Sequence, residues 1–555
     1  MDIFGTTITV MTEVYNITMF IRGVVTDIKT YDSAKHEIHD KLEHEFLFLS
    51  SFKDLFFDKE AIMRNHDLHI NLKRDVRIIL VALRKALTEY GIMAAKHGLL
   101  GTENKLLLDK AGEFLSFNER VKLKVKDLKR TLDWALFDKE RILKILGEYS
   151  EWTGRLRQTM SLVLLTLSAF GSSVFGDFAK STRSKEMGLQ DVVTRQSLVN
   201  TEPPEDFRGL SGRIIEGSES VHGSDLRLAK YEDGWCRVEE VMLEYRKYSG
   251  QLVRAAHFRL PELDKLKKPI RDLAWLLHTA CFAHDDDLAD SPNQLAIYTL
   301  RCLGYIDQPE EHQTIFLYEL PKARPFQTSS SIATLHDWIN NVNDPLAQQS
   351  MPKPTLGNRF FLAHALCLTL LNIHSSGWVH KNIWSRGIVV FPSRKPSPPS
   401  RLPCFVPYIS GWGFSRPIAG GTELTADTKV EPNYYRHPVR QGYPEAPFKV
   451  EHDIYALGVV LLEIGLWETV SCIFKRQMDK AASERRLPPP DMIRDALVEK
   501  ARAALPSEMG DLYAVSVERC LTGEFGINED DGNRAVLSAA FRDKVIDKIA
   551  GGMKL

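Results

Sequence analysis

The stretch Trp378–Phe391, WVHKNIWSRGIVVF, decides how the larger part of the chain folds. It follows an amphipathic helical segment, Asn358–Ser376, that ends in Asn372-Ile373-His374. It runs into Phe391–Pro403, FPSRKPSPPSRLP, whose Pro, Ser and basic residues predict an exposed insertion. Upstream, Gly212–Gly217, Asp225–Tyr231 and Val241–Tyr248 alternate as short strands, a helix is expected near 261–282, and Arg301–Asp307 and Thr314–Leu320 complete five strands. Downstream, helices are expected over His452–Leu466, Pro490–Ala504 and Asp511–Leu521. A five-stranded sheet with one helix, followed by a helical part, is an α+β arrangement.

The region before this one has a different character. No proline occurs before residue 203, and helix-period patterns dominate up to about 180. The polar stretch 180–209, with Pro203-Pro204, reads as a linker. The chain is therefore expected to be multidomain: an N-terminal all-α helical bundle over 1–179, a linker over 180–209, and an α+β domain over 210–555. The length of 555 residues accommodates two or three domains. With 72 Lys+Arg against 73 Asp+Glu, the balance excludes a basic nucleic-acid surface spread over the whole chain, and no nucleic-acid partner is expected. Seven scattered cysteines, at 236, 281, 302, 367, 404, 472 and 520, form no Cys-x-x-Cys pair and no zinc spacing. They point to reduced thiols, no secretory signal is evident, and a cytoplasmic location and no metal follow as expectations.

Six helices are expected in the first region. The first, over about 3–31, has one stripe of Val10, Val14, Ile17, Ile21 and Val24 and a second of Phe4, Ile8, Met11 and Tyr15. A helix apolar on two sides is buried in a bundle or becomes buried in something else. The second covers about 33–57, with Leu42, Phe46, Leu49, Phe52 and Phe56 inward. The third covers about 68–96, with Val76, Ile79, Leu80, Leu83, Leu87 and Tyr90. Others follow near 103–117, 119–151 and 152–172, and short connections predict an up-down bundle. Ile3–Ile21 and Gln158–Gly176 approach spanning length but are rich in Ser, Thr or Gly, so a core helix is the commoner reading of both. The basic run Arg120, Lys122, Lys124, Lys126, Lys129 and Arg130 is a solvated face or a contact for anionic lipid or an acidic partner.

The layout around Trp378–Phe391 resembles a protein kinase, a bilobal α+β fold, over about 210–550. His380 matches the histidine of the kinase catalytic loop and Lys381 its arginine. Asn382 stands where the catalytic Asp belongs, and Gly387 where the metal-binding Asn belongs. An amide cannot accept the substrate hydroxyl proton as a carboxylate does, and glycine offers no ligand. In YISGWGFS (Tyr408–Ser415), Gly411, Trp412 and Gly413 fill the places of the Asp-Phe-Gly element, so the magnesium carboxylate is missing. Arg246 aligns with the phosphate-binding lysine, with Lys247 beside it on the opposite face. Glu262 and Asp272 are the candidate acids on the following helix, and Gly209, Gly212 and Gly217 lie in the glycine-loop region without its spacing. The structural positions are better kept. In HDIYALGVVLLEIGLWE (His452–Glu468), Asp453 would cap the helix and brace the catalytic loop, with Gly458 five residues on. NYYRHPV (Asn433–Val439) resembles the end of the activation segment, and ERCLTGEFG (Glu518–Gly526) the final helix. The acidic run Asp285-Asp286-Asp287 reads as a solvated loop. The resemblance implies a pseudokinase: no cofactor is required, and the lost ligands count against magnesium–ATP binding and catalysis.

EIHDKLEHEFLFLSSFKDLFF (Glu37–Phe57) and TLDWALFDKERILKIL (Thr131–Leu146) resemble the HeLo, or prion-inhibition and propagation, domain of filamentous fungi. That resemblance implies a helical bundle associated with heterokaryon incompatibility and programmed cell death, whose first helix inserts into membranes on activation. Carried over, the insertion candidates are Ile3, Phe4, Ile8, Val10, Val14, Ile17 and Ile21. The two resemblances together imply a fungal signalling or cell-death protein in which a pseudokinase restrains a membrane-active bundle. Its partners would be proteins, an upstream sensor or its own oligomer, and an anionic plasma membrane on activation. The alternatives are an active Ser/Thr-type kinase with a helical docking domain, and a non-catalytic scaffold.

Overall fold

A computed structural model describes residues 3–27, 32–58, 70–88, 90, 139–166, 203, 207 and, from 209 to 554, all but 222–223, 259–260, 280–296, 322–331, 344–351, 393–404, 419, 422–423, 425, 485 and 528–533. The chain divides into two compact units. One comprises Met1–Ser197 with Asp531–Ala539, the other Leu198–Asp530 with Ala540–Leu555. The chain is thus a multidomain protein of helices in its N-terminal part and a helix-plus-sheet arrangement later.

In the first unit the described helices are α1 (Ile3–Asp27), α2 (Asp32–Lys53), α3 (Ile70–Ala86) and α4 (Lys139–Thr166). α1 packs against both α2 and α3, and α4 packs against the same two. This explains the two stripes of α1: Val10, Val14, Ile17 and Ile21 are buried, and so are Ile8, Met11 and Tyr15. Each large apolar side chain so buried contributes about 2 kcal/mol. The inward residues expected on α2 and α3 are all buried as well. Thr18 on α1 and Tyr149 on α4 share a hydrogen bond of 3.0 Å between hydroxyls. Glu45 on α2 accepts hydrogen bonds from Thr153 Oγ1 at 2.5 Å and Ser150 Oγ at 2.8 Å on α4.

Two local expectations are corrected. The helix break at 151/152 does not exist: α4 runs unbroken from Lys139 to Thr166, and Ser150 and Thr153, on either side of the expected break, both bond Glu45 of α2. The second helix ends at Lys53 and passes into a π-helical turn, Asp54–Asp58, which keeps Phe56 and Phe57 buried. The helix expected near 103–117 and the start of the one expected at 119 lie outside the described residues.

In the second unit five strands form an antiparallel sheet: β1 (Arg213–Ser220), β2 (Arg227–Glu232), β3 (Val238–Lys247), β4 (Cys302–Gln308) and β5 (Gln313–Glu319), in the order β1-β2-β3-β5-β4. Alternation sorts its two faces. Val241 and Leu243 join Ala229, Tyr231, Ile315 and Leu317 in one core. Met242, Glu244 and Arg246 take the other side of β3. Among the described residues two helices, not one, lie between β3 and β4: α5 (Gly250–Phe258) and α6 (Leu263–Thr279), the latter against β4. Ser249 Oγ accepts from the Leu252 amide and nucleates α5, a serine-capped turn too short to show a helical period.

Beyond the sheet lie β6 (Ala333–Thr334), α7 (Leu335–Asn343), α8 (Leu356–Ser375), β7 (Trp378–Val379), β8 (Ile388–Pro392), β9 (Phe405–Ile409) and β10 (Arg416–Pro417). β6, β8 and β9 pair as one small sheet, β7 and β10 as another. α9 (Val450–Leu466), α10 (Pro490–Met509) and α11 (Asp511–Thr522) complete the core, with α9 against α8, α10 and α11. α9 is buried on nearly all sides, which its apolar run Ile454–Leu462 requires. Glu518–Gly526 does not end the fold: helical turns at Arg542–Ile546 and Asp547–Gly551 pack back on α11.

Candidate functional site

The loop after β7 is held by one buried carboxylate. Asp453, fully buried in the first turn of α9, accepts from the His380 amide through Oδ2 and the Lys381 amide through Oδ1, both at 2.8 Å. His374 Nε2, at the end of α8, lies 3.1 Å from Oδ2. Contrary to the expectation from sequence, Asp453 does not cap α9. The helix starts earlier, at Val450, and the Lys449 amide there donates to His452 Nδ1 at 3.1 Å. Lys381 takes a left-handed φ of 73°, a conformation that costs a residue with a Cβ about 1 kcal/mol. His380 is fully buried, its ring edge-on to Trp412 with centroids 4.7 Å apart. Burial pushes its imidazole down to about 4, so it is neutral at ordinary pH. Its Nδ1 accepts from the Asn382 amide at 3.3 Å.

The glycines that replace expected ligands are sterically committed. Gly411 has φ +91°, and a Cβ there would lie 2.8 Å from Asn382 Nδ2. A Cβ on Gly387 would lie 2.9 Å from Trp384 Cδ1. Trp412 is buried and donates through Nε1 to Thr299 Oγ1 at 3.0 Å and the Ile409 carbonyl at 3.1 Å. Gly413 brings the same turn against β3, with a would-be Cβ 3.3 Å from the Tyr245 carbonyl.

Sequence reasoning missed the residue that meets this turn. Glu244, 3% exposed, accepts from the Gly411 amide at 3.1 Å and the Gly413 amide at 2.5 Å. The Tyr318 hydroxyl donates to it at 3.4 Å. Burial pushes its carboxyl up to about 7, against the pull of the two amides and Arg246. A signal was present: alternation along VMLEYRKY puts an acid on the face of Met242, where a buried charge must find donors.

Arg246 shares that face, and burial lowers its guanidinium to about 10. Its Nη1 is buried without a hydrogen-bond partner among the described residues. Lys247 is exposed, so the two basic residues do point apart. Glu262 is exposed ahead of α6, and Asp272 lies half-buried on that helix. The groups acting on Arg246 are instead Glu244 and Tyr318. Lys381 is pushed down to about 8 by burial and by Arg416, Arg440 and Arg246. Gly458 lies where α9 crosses α11, its would-be Cβ 2.7 Å from Cys520 Cβ. Asn433, Tyr434 and Tyr435 are buried in a short helix, Val430–Tyr435.

The other candidates fall elsewhere. Ile8, Val10, Val14, Ile17 and Ile21 are buried in the first unit. The side chains of Ile3 and Phe4, the basic run 120–130, and Asp285–Asp287 lie outside the described residues. Among the described residues one helix is long and apolar enough to cross a membrane, and it is α8, not α1. No three His, Cys, Asp or Glu side chains gather into a metal-binding group among the described residues. No protein-family model matches the chain, and no curated protein is significantly similar to it.

Proposed function

We propose that the second unit is a kinase-like domain emptied of its chemistry, and that the chain is a signalling or regulated cell-death protein in which this unit controls a membrane-active helical bundle. One observation carries the reading. A carboxylate from the core helix braces the loop at His380–Lys381, while the positions that would do chemistry are Asn382, Gly387 and Gly411, the two glycines set where a Cβ would crowd the Trp384 ring and the Asn382 amide. The element order supports it: an antiparallel five-stranded sheet, then a helical part around a buried α9. Asn382 cannot act as a proton acceptor, and Glu244 is engaged by the amides of the neighbouring turn. The second unit is then a switch: a ligand, partner or modification shifts its state and releases the bundle toward an anionic bilayer.

Two measurements test this. Full-length protein with magnesium and ATP should show no autophosphorylation, and incorporation of phosphate would restore the active-kinase reading. Residues 1–197, checked for helical content by circular dichroism, should release dye from anionic liposomes where the full chain does not. Val14→Asp or Ile17→Asp should abolish release. A folded fragment that leaves liposomes intact removes the membrane step. The scaffold reading then leads.

A further inference from the structure

We propose that the outward face of α3 is a docking surface for an anionic phospholipid bilayer, met by the first unit while its helices are still packed. The proposal rests on the membrane-active reading for its setting, but it gives the first contact to α3 and not to α1. α3 packs on α1 and α4, and Leu72, Val76, Ile79, Leu80 and Leu83 are buried on that side. The opposite side is not the polar face that a solvated helix shows. Ile78 is 61% exposed, Ile70 44% and Val81 38%. At about 100° per residue these three fall within a sector of about 80°. Arg74 and Lys85, both exposed, stand inside that sector, and Arg77 and Arg84 flank it. One exposed apolar residue needs no explanation, but three aligned over about three turns form a stripe. The charge on the helix is almost all of one sign. Lys73, Arg74, Arg77, Arg84 and Lys85 stand against Asp75 alone, whereas α2 carries three basic residues against five acidic ones. Glu13 of α1 takes up Arg84 at 2.9 Å, while Arg77 and Lys85 form no ion pair among the described residues. These properties select the occupant. A protein partner is typically met by aromatic anchors, and this stripe has none. Aliphatic side chains set among basic ones, whose stems lie along the apolar surface while their heads reach phosphate, suit an anionic interface.

The test is sedimentation of the full chain with vesicles of phosphatidylcholine, alone or mixed with phosphatidylserine. The wild type should bind the mixed vesicles only, and more weakly as salt rises. Arg77→Gln with Lys85→Gln should weaken binding about 30-fold, since each basic residue near an anionic surface contributes about fivefold. Ile78→Gln with Val81→Gln should weaken it about tenfold and leave the salt dependence in place. Lys144→Gln with Arg155→Gln, which removes two exposed basic residues of α4, should leave binding almost unchanged. All these side chains lie at or near the surface, and circular dichroism with Tm checks that each variant folds as the wild type does. Absence of binding to the mixed vesicles overturns the proposal. So does an equal loss from the α4 pair, which would mean attraction to net charge and not to a face. Capture by polyglutamate with none by the mixed vesicles gives the face to an acidic protein and also overturns it. Binding and dye release separate this proposal from the reading before it. Release by residues 1–197 without sedimentation of the full chain removes the α3 surface alone, and sedimentation without release removes the membrane-breaking step alone.

Discussion

Replacing Asp453 tests whether the 380–382 loop is held from α9. The carboxylate takes two backbone amides at 2.8 Å and His374 at 3.1 Å, and it is wholly buried. Asp453→Ala leaves both amides without acceptors in the core, at about 1–3 kcal/mol each. Release of the left-handed Lys381 returns about 1 kcal/mol of backbone strain. The net loss is roughly 1–5 kcal/mol, a large share of a domain's total stability of about 5–15 kcal/mol. Asp453→Asn keeps the volume and one acceptor but turns an N–H donor toward the second amide, so it should cost about 2–4 kcal/mol. Urea unfolding followed by tryptophan fluorescence reads the loss, because Trp412 packs on His380. Limited trypsin digestion reads it locally, at Lys381 and Arg386. An Asp453→Asn protein with the wild-type urea midpoint and cleavage pattern would refute the reasoning.

Glu45→Ala should destabilise the first unit by about 2–4 kcal/mol, since it strips the acceptor of Thr153 and Ser150 and the partner of Arg157, and the melt should show it at Trp152. Gly458→Ala should cost about 1–3 kcal/mol despite its gain in helix propensity. Cys520→Ala should not rescue it, because the atom it meets is Cys520 Cβ. The carboxyl of Glu244 is raised from 4.5 to about 7, so the folded state binds its proton more tightly than the unfolded one. Its stabilising contribution is complete below the ordinary value and lost as pH rises through about 7. Relative to Glu244→Gln, the wild type should therefore lose about 3 kcal/mol between about pH 4.5 and pH 8, measured as paired urea midpoints.

Local periodicity revealed most of the framework. The stripes of α1, α2 and α3 and the five strands of the main sheet lie within a few residues of where spacing and alternation put them. Two features set by polar side chains were not legible: the start of α5 at its Ser249 cap, and the run of α4 through 151/152, where Ser150 and Thr153 bond Glu45 of a different helix. At the site, the loop at His380–Lys381 and its brace Asp453 were expected only through the resemblance of their motifs to a kinase, since nothing in local periodicity joins residues 72 and 73 positions apart. Glu244 could not be linked to Gly411, because 167 residues separate them and the pairing is one of side chain to backbone amide. That partnership leaves no pattern in the sequence of either segment.

The burial of α8 also shapes how the protein comes into being. Its mean hydropathy of 1.3 passes for a membrane span, and 78% of that window is buried in the finished fold. The helix that covers it, α9, begins 75 residues later, from Ser375 to Val450. At ribosomal speed that interval is roughly 4–15 s, in which a span-length apolar helix has been made and its cover has not. Chains that stop between those two helices expose an apolar helix of spanning length, so liposome capture by such truncations would not be specific to the N-terminal bundle.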